Sequence, residues 1–378
     1  MTALWFILLA IAYAAMLLYA AMVLLAISGW QKLTTSEHSE PTTGVSILVA
    51  ARNESENMEK IIHDLTVQVF PEELMEIIVI DDNSEDDTLG KCQLLKKKYP
   101  QLKILSNRNS PGKKGALQTG ISEAAFLLIA TVDADCRIPS EWLRSMICNW
   151  EGGSTRMLLG PVVLHPTKTL FHRIQSLEML AIMGLTGGSS YYNRPIMANG
   201  ANILFDKRSF DEVGGYGNDG NPSGDDVFTM LRINDKWPGS VRFVKDSGAA
   251  VRTDPQKTFA DLWQQRKRWI SKKSGYSNFH VRASALITYA ANATGLMALT
   301  VCIVNFGSCW ADRLLWLLLI KTILDLMLIR TVKRELLPDC SILIIIPAEI
   351  FIVTYVTLLG MVGNVRKYVW KGRSIRVK

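Results

Sequence analysis

Apolar residues gather in two kinds of run along this chain: long uninterrupted stretches at the two ends and short ones between them. The first 31 residues carry no charged side chain, more than the ~20 apolar residues a spanning helix needs. No basic residues lead into a shorter apolar core there, so a retained anchor is expected and not a secretory leader. Ala283–Val304, Leu314–Ile329 and Ile342–Val362 are three further candidate spans. Lys321 and Asp325 stand four apart on one helix face and are expected to pair inside the bundle. Pro347 and Glu349 mark the last stretch as re-entrant or interfacial.

The short runs have a different rhythm. Val45–Ala50, Glu76–Ile80, Leu102–Leu105 and Ala125–Val132 are each apolar without a polar face, the signature of strands buried on both sides. Between them helical spacing returns, as in Met58, Ile61, Ile62 and Leu65. Such alternation predicts an α/β fold, a doubly wound parallel sheet with helices on both faces. Each strand turns polar at the same end: Ala51-Arg52-Asn53-Glu54, Asp81-Asp82-Asn83-Ser84, Asn107-Arg108 and Asp133-Ala134-Asp135. Those ends should converge on one crevice. A dinucleotide-binding domain would place G-x-G-x-x-G after the first strand, and Ala51 to Glu54 offers no glycine. Asp133 and Asp135 are hard oxygen donors one residue apart, suited to Mg²⁺ or Mn²⁺ with substrate phosphates completing the coordination. Taken alone, the same pair would be an ordinary solvated turn.

In this order and company the motifs resemble family-2 glycosyltransferases, the group of cellulose synthase and ceramide glucosyltransferase. The likeness runs from about Thr43 to Ser274 and rests on Ala51–Glu54, Val79–Thr88, Gly112–Leu117, Asp133–Asp135, Ala198–Asn202, Ser223–Phe228 and Trp263–Trp269. It implies a GT-A fold, the nucleotide-sugar form of the doubly wound sheet. By the resemblance Asp82 contacts a uracil, and Asp133 and Asp135 hold a metal and the diphosphate. One of Lys113 and Lys114 lies near that diphosphate, and Arg52 and Glu54 belong to the donor side. Asn199, Gly200 and Asn202 lie by the acceptor. Asp226 matches the general base, with Asp225 beside it where the family commonly has glutamate. Adjacent carboxylates raise one another's proton affinity, which suits a base that must deprotonate a hydroxyl. Gln265, Arg268 and Trp269 match Q-x-x-R-W, with the arginine on the leaving diphosphate and the tryptophan on the acceptor. Read without the resemblance, Arg-Lys-Arg among tryptophans is an amphipathic helix at a membrane surface.

Composition narrows the rest. The net charge of +7 is spread between the middle and the tail, with no nucleic-acid-binding motif around the basic residues. A basic tail after an apolar segment suits anionic lipid headgroups. The cysteines at 92, 136, 148, 302, 309 and 340 show no metal-ligand or redox spacing. Lys32, the first charge, puts the following domain in the cytoplasm. The expected organisation is an anchor at 1–31, a cytosolic transferase domain at 43–280, and a membrane region with a basic tail at 281–378. The expected protein is a multi-pass enzyme of the plasma or inner membrane. It takes a UDP-sugar, with Mg²⁺ or Mn²⁺, and passes the sugar to a lipid or lipid-linked acceptor with inversion. A processive polysaccharide synthase of the same family is the alternative enzyme, and a catalytically inactive scaffold of the same fold the alternative class.

Overall fold

The four apolar runs become the four parallel strands of one half of a sheet. These are β1 (Val45–Ala51), β2 (Met75–Asp81), β3 (Leu102–Ser106) and β4 (Leu128–Asp133), in spatial order β3-β2-β1-β4. Val49 stands opposite Val79 on one side and Val132 on the other, which brings the polar carboxyl ends level. Every residue of β1 except Ala50 is buried, as continuous apolar runs require. The computed structural model describes residues 2–35, 40–165, 169–217, 225–271, 278–305, 307–361, 367–370 and 373–376.

β4 starts three residues later than the apolar run. The backbone N–H groups of Ala125 and Phe126 donate to the Glu76 carboxylate (2.9 Å) and the Ser46 hydroxyl (3.1 Å) instead of joining the ladder. The other half of the sheet departs from the all-parallel expectation. β7 (Asn202–Asp206) runs antiparallel to β4 and to β5 (Met157–Leu159), and β8 (Val241–Phe243) closes the row beside β5. β6 (Val162–Leu164) and β9 (Val251–Thr253) form a separate parallel pair.

Helices α2 (Met58–Thr66), α3 (Thr88–Lys98) and α4 (Lys113–Glu123) connect the parallel strands. α4 lies close enough on the sheet that a Cβ at Gly120 would come within 2.8 Å of Ile80. α5 (Trp142–Cys148), α7 (Lys207–Glu212), α8 (Asp225–Lys236) and α9 (Phe259–Ser271) follow, with α7 packed on β7, α8 on β8 and α9 beside α12 (Ile345–Met361). α6 (Leu170–Tyr191) ties the sheet to the apolar helices α1 (Thr2–Lys32), α11 (Cys309–Leu336) and α12 (Ile345–Met361). Its contact with α1 is backbone on backbone. A Cβ at Gly188 would lie 2.1 Å from the Ala26 carbonyl, and one at Gly29 2.1 Å from the Gly188 carbonyl. At the end of α1, fully buried Trp30 packs on Phe243 of β8 with ring centroids 5.6 Å apart.

Among the described residues two helices are long and apolar enough to cross a membrane, Ala3–Lys32 and α10 (Phe279–Val304). Ile345–Met361 is apolar but shorter. The expected span Leu314–Ile329 lies inside α11, whose Lys321, Asp325 and Arg330 make it too charged to join them. Lys321 does pair with Asp325 (2.8 Å), and Glu349 of α12 turns inward to complete the group. Tyr19 of α1 donates its hydroxyl to Asp325, so the cluster spans three helices. In the tail, β10 (Lys367–Trp370) and β11 (Arg373–Arg376) pair as an antiparallel hairpin with β10 beside α9.

Candidate active site

The first wall of the crevice is made by the turns after β1 and β2, which interlock. Asn53 (φ 50°) and Asn83 (φ 56°) both adopt left-handed backbone, which asparagine tolerates better than most residues. The Asn53 N–H donates to Ser84 Oγ (3.1 Å), and the Glu85 N–H donates to Asn53 Oδ1 (2.8 Å). Arg52 braces both turns, donating to the Asp82 and Asn83 carbonyls (3.0 Å each) and to Glu85 (2.9 Å). Glu54, also buried, accepts from Asn57 (2.7 Å). Asp82 is nearly inaccessible and accepts from the Gly112 N–H (2.9 Å) and Asn107 (2.7 Å). That ties the second turn to the start of α4, where Gly112 has a φ of 114° that only glycine adopts readily. Arg52, Glu54 and Asp82 all line the crevice.

Its floor joins α4, β4, the loop before β7, and α8. The Lys113 ammonium forms an ion pair with Asp133 and donates to the Gly200 carbonyl (3.3 Å). Burial works against that ammonium. The Asp133 carboxylate beside it, and more weakly Asp226, outweigh the burial and hold its pKa above the ordinary lysine value. Asp226 accepts from the Gly200 N–H through Oδ2 and from the Val227 N–H through Oδ1, each at 2.9 Å. Thr131 Oγ1 donates to the Gly200 carbonyl (3.0 Å), so one glycine, through its N–H and its carbonyl, links strand, lysine and carboxylate. Burial first, and then Asp133 and Asp135, push the Cys136 thiol well up, so this crevice cysteine is held as a thiol. Lys114 does not line the crevice, leaving Lys113 as the lysine of the pair that does.

The third wall is α9. Gln265, Arg268 and Trp269 face the same crevice as Asp133, Asp135 and Asp226. Sequence reasoning overlooked their neighbour Arg266, which also lines it. Arg266 is buried and pairs with Glu178 of α6 (2.6 Å). The only local signal was the charge itself, because Glu178 lies 88 residues away. Asn199 and Gly200 line the crevice, but Asn202 does not. Its amide is fully buried, donating to the Pro161 and Ala249 carbonyls (2.8 Å each) and accepting from the Trp142 indole (2.9 Å). Asn202 therefore joins loops behind the crevice and does not face an acceptor. Ser223 and Gly224 lie outside the described residues, as does the side chain of Asp225.

The donor set fits a hard divalent cation. Among the described residues no three His, Cys, Asp or Glu side chains form a closed cage. Asp133, paired with Lys113, and Asp135 instead line the crevice one residue apart, an open-sided donor set of the kind Mg²⁺ uses when substrate phosphates supply the other oxygens. The crevice is also two-sided in chemistry. Beyond the carboxylates it is lined by Val162, Leu164, Met179, Met183 and Met197.

Comparison with known proteins places the chain among glycosyltransferase-like sequences and folds. Residues 46–214 match the family model described as glycosyl transferase family 2. A beta-monoglucosyldiacylglycerol synthase from Synechocystis is 26% identical over 257 residues, covering 65% of this chain and 51% of that protein. A poly-beta-1,6-N-acetyl-D-glucosamine synthase from Staphylococcus epidermidis is 28% identical over 242 residues, covering 63% of this chain and 56% of that protein. The chain thus spans about half the length of these curated relatives. Among solved structures, a mannosyltransferase from Pyrobaculum calidifontis in complex with GDP-Man and Mn²⁺ superposes with a TM-score of 0.56 at 17% identity. The match covers 89% of this chain and 99% of that one and establishes the shared fold.

Proposed function

We propose that this chain, which through residues 46–214 belongs to glycosyl transferase family 2, moves a sugar from a UDP-sugar to a lipid acceptor with inversion. The observation that carries the reading is the shared crevice. Acidic strand ends, a backbone-anchored Asp226, and the Gln265, Arg268 and Trp269 face of α9 meet there beside an apolar lining. The polar turns around Asp82 take the nucleoside, and the apolar side takes the lipid. The diacylglycerol synthase among the relatives supports a lipid acceptor.

Asp226 removes the acceptor's hydroxyl proton as that oxygen attacks the anomeric carbon, and the bond from that carbon to the diphosphate breaks on the opposite side. The two backbone N–H groups on Asp226 fix its orientation, which general-base catalysis requires. Charge accumulating on the departing diphosphate is met by Lys113 and Arg268. A Mg²⁺ or Mn²⁺ ion on Asp133 and Asp135, when bound, neutralises more of it. Asp135→Ala is expected to weaken donor binding about ten- to hundredfold, the scale of one contact to a charged group. Calorimetric titration with UDP in the presence of Mn²⁺ measures this. Unchanged affinity, or full turnover in excess chelator, would remove Asp133 and Asp135 from the metal role.

In this reading the transferase domain spans 43–280 and faces the cytoplasm, with the anchor at 1–31 and the helices of 281–378 holding it at the membrane. Lys321, Asp325 and Glu349 are engaged with one another, so these polar groups of α11 and α12 do not line a sugar channel. A single sugar per lipid is therefore the expected product. Membranes supplied with a panel of labelled nucleotide sugars should yield one lipid-extractable band and release UDP. A ladder or a lipid-free polymer would favour the processive reading that the second relative represents.

A further inference from the structure

The guanidinium of Arg266, a crevice residue of α9, is engaged on every side. Nη2 pairs with Glu178 of α6 at 2.6 Å, and Nε lies 3.3 Å from the same carboxylate and 3.4 Å from the Tyr355 hydroxyl of α12. Tyr355 donates its hydroxyl to Glu178, closing the triangle. On the crevice side, Nη1 donates to Gln265 Oε1 (2.7 Å), and the guanidinium carbon lies 4.0 Å over the Trp269 ring. Arg266 and Glu178 retain 7% and 13% of their side-chain exposure, and Tyr355 is 3% exposed. Water therefore cannot readily replace a lost partner.

One side chain thus orients two residues that face the acceptor, and is itself held from an apolar helix and from the helix under the crevice. None of these contacts reaches Asp82, Lys113 or Asp133, which stand on the sheet and α4. We infer that Arg266, Glu178 and Tyr355 form a positioning triad that sets the acceptor wall of the crevice from α12. The inference rests on the transferase reading for its kinetic arm and on geometry alone for its structural arm. Without the Tyr355 hydroxyl, Arg266 and Glu178 keep their pair but lose the contact that fixes both to α12. Gln265 and Trp269 then sample more than one orientation, while Asp82, Lys113 and Asp133 stay as they were.

The test uses the full-length protein in detergent micelles with Tyr355→Phe. Thr354→Val is the control, because the Thr354 hydroxyl only bonds back to Ile350 within the same helix. Hydrogen exchange followed by mass spectrometry is expected to show faster exchange in 259–271 for Tyr355→Phe, with peptides of β1 to β4 unchanged and the control like wild type. The acceptor KM, read with diacylglycerol and the donor chosen from the panel, is expected to rise about tenfold. The donor KM should rise less, since Asp82, Lys113 and Asp133 stand off α9 and of the donor-side residues only Arg268 rides on it, a split that general loss of fold would not give. Unaltered exchange in 259–271 overturns the triad whether or not the protein turns over any donor. So does an equal loss in donor and acceptor KM, or an equal effect of the control. Absence of transfer by the wild type would count against the transferase reading and leave the exchange result to decide the triad.

Discussion

Asp226→Asn is expected to abolish transfer while leaving UDP binding nearly intact. The substitution keeps the size of the side chain but removes the base, whose contribution runs to about 10²–10⁴-fold in rate. The amide's single oxygen can still accept from the Gly200 N–H, at the loss of the Val227 contact, so the loop before β7 should stay in place. The two readings of the mutant therefore separate cleanly. Turnover falls by orders of magnitude and UDP affinity by little. Rates close to wild type would move the base elsewhere, and a parallel loss of UDP affinity would make Asp226 a donor-side residue.

Lys321→Met is expected to destabilise the helical part by about 3–5 kcal/mol, the cost of removing one partner from a buried ion pair. Lys321 is 1% exposed and faces two carboxylates, Asp325 and Glu349, from one turn away and from the next helix. Without the ammonium those two carboxylates confront each other in an apolar setting. The thermal midpoint of the purified protein in one detergent should drop sharply. Replacing all three together, with Asp325→Leu and Glu349→Leu added, should return much of the loss, because a well-packed apolar substitute avoids the desolvation penalty. An unchanged midpoint for Lys321→Met alone would show that the cluster is wetter than its burial implies.

The parallel half of the sheet was legible because strands buried on both faces leave continuous apolar runs, and their polar ends mark the crevice. β5, β6, β8 and β9 were not, since runs of three residues owe their extended form to partners distant in sequence. Asn202 shows why a motif can mislead. It sits in a glycine-rich stretch beside the crevice, yet its amide serves Trp142, Pro161 and Ala249, which lie 41 to 60 residues away. Glu349 similarly read as a sign of an interfacial segment, because its partner stands on another helix. The Lys321–Asp325 pair was visible since both lie on one face of one helix.

The contact between α1 and α6 bears on the order in which the chain can assemble. α1 is made before α6, and the glycines that receive it, at 187 and 188, follow about 150 residues later, with α10 and α11 later still. Until then its apolar surface lacks these partners, which favours late docking of α1 onto the sheet domain. When α6 arrives, close approach at Gly29 and Gly188 and the seating of Trp30 against Phe243 lock the first helix to the sheet. A version trimmed of α1 for easier handling would thus expose the glycine face of α6 and strip β8 of its covering indole. It should aggregate more readily than its composition suggests.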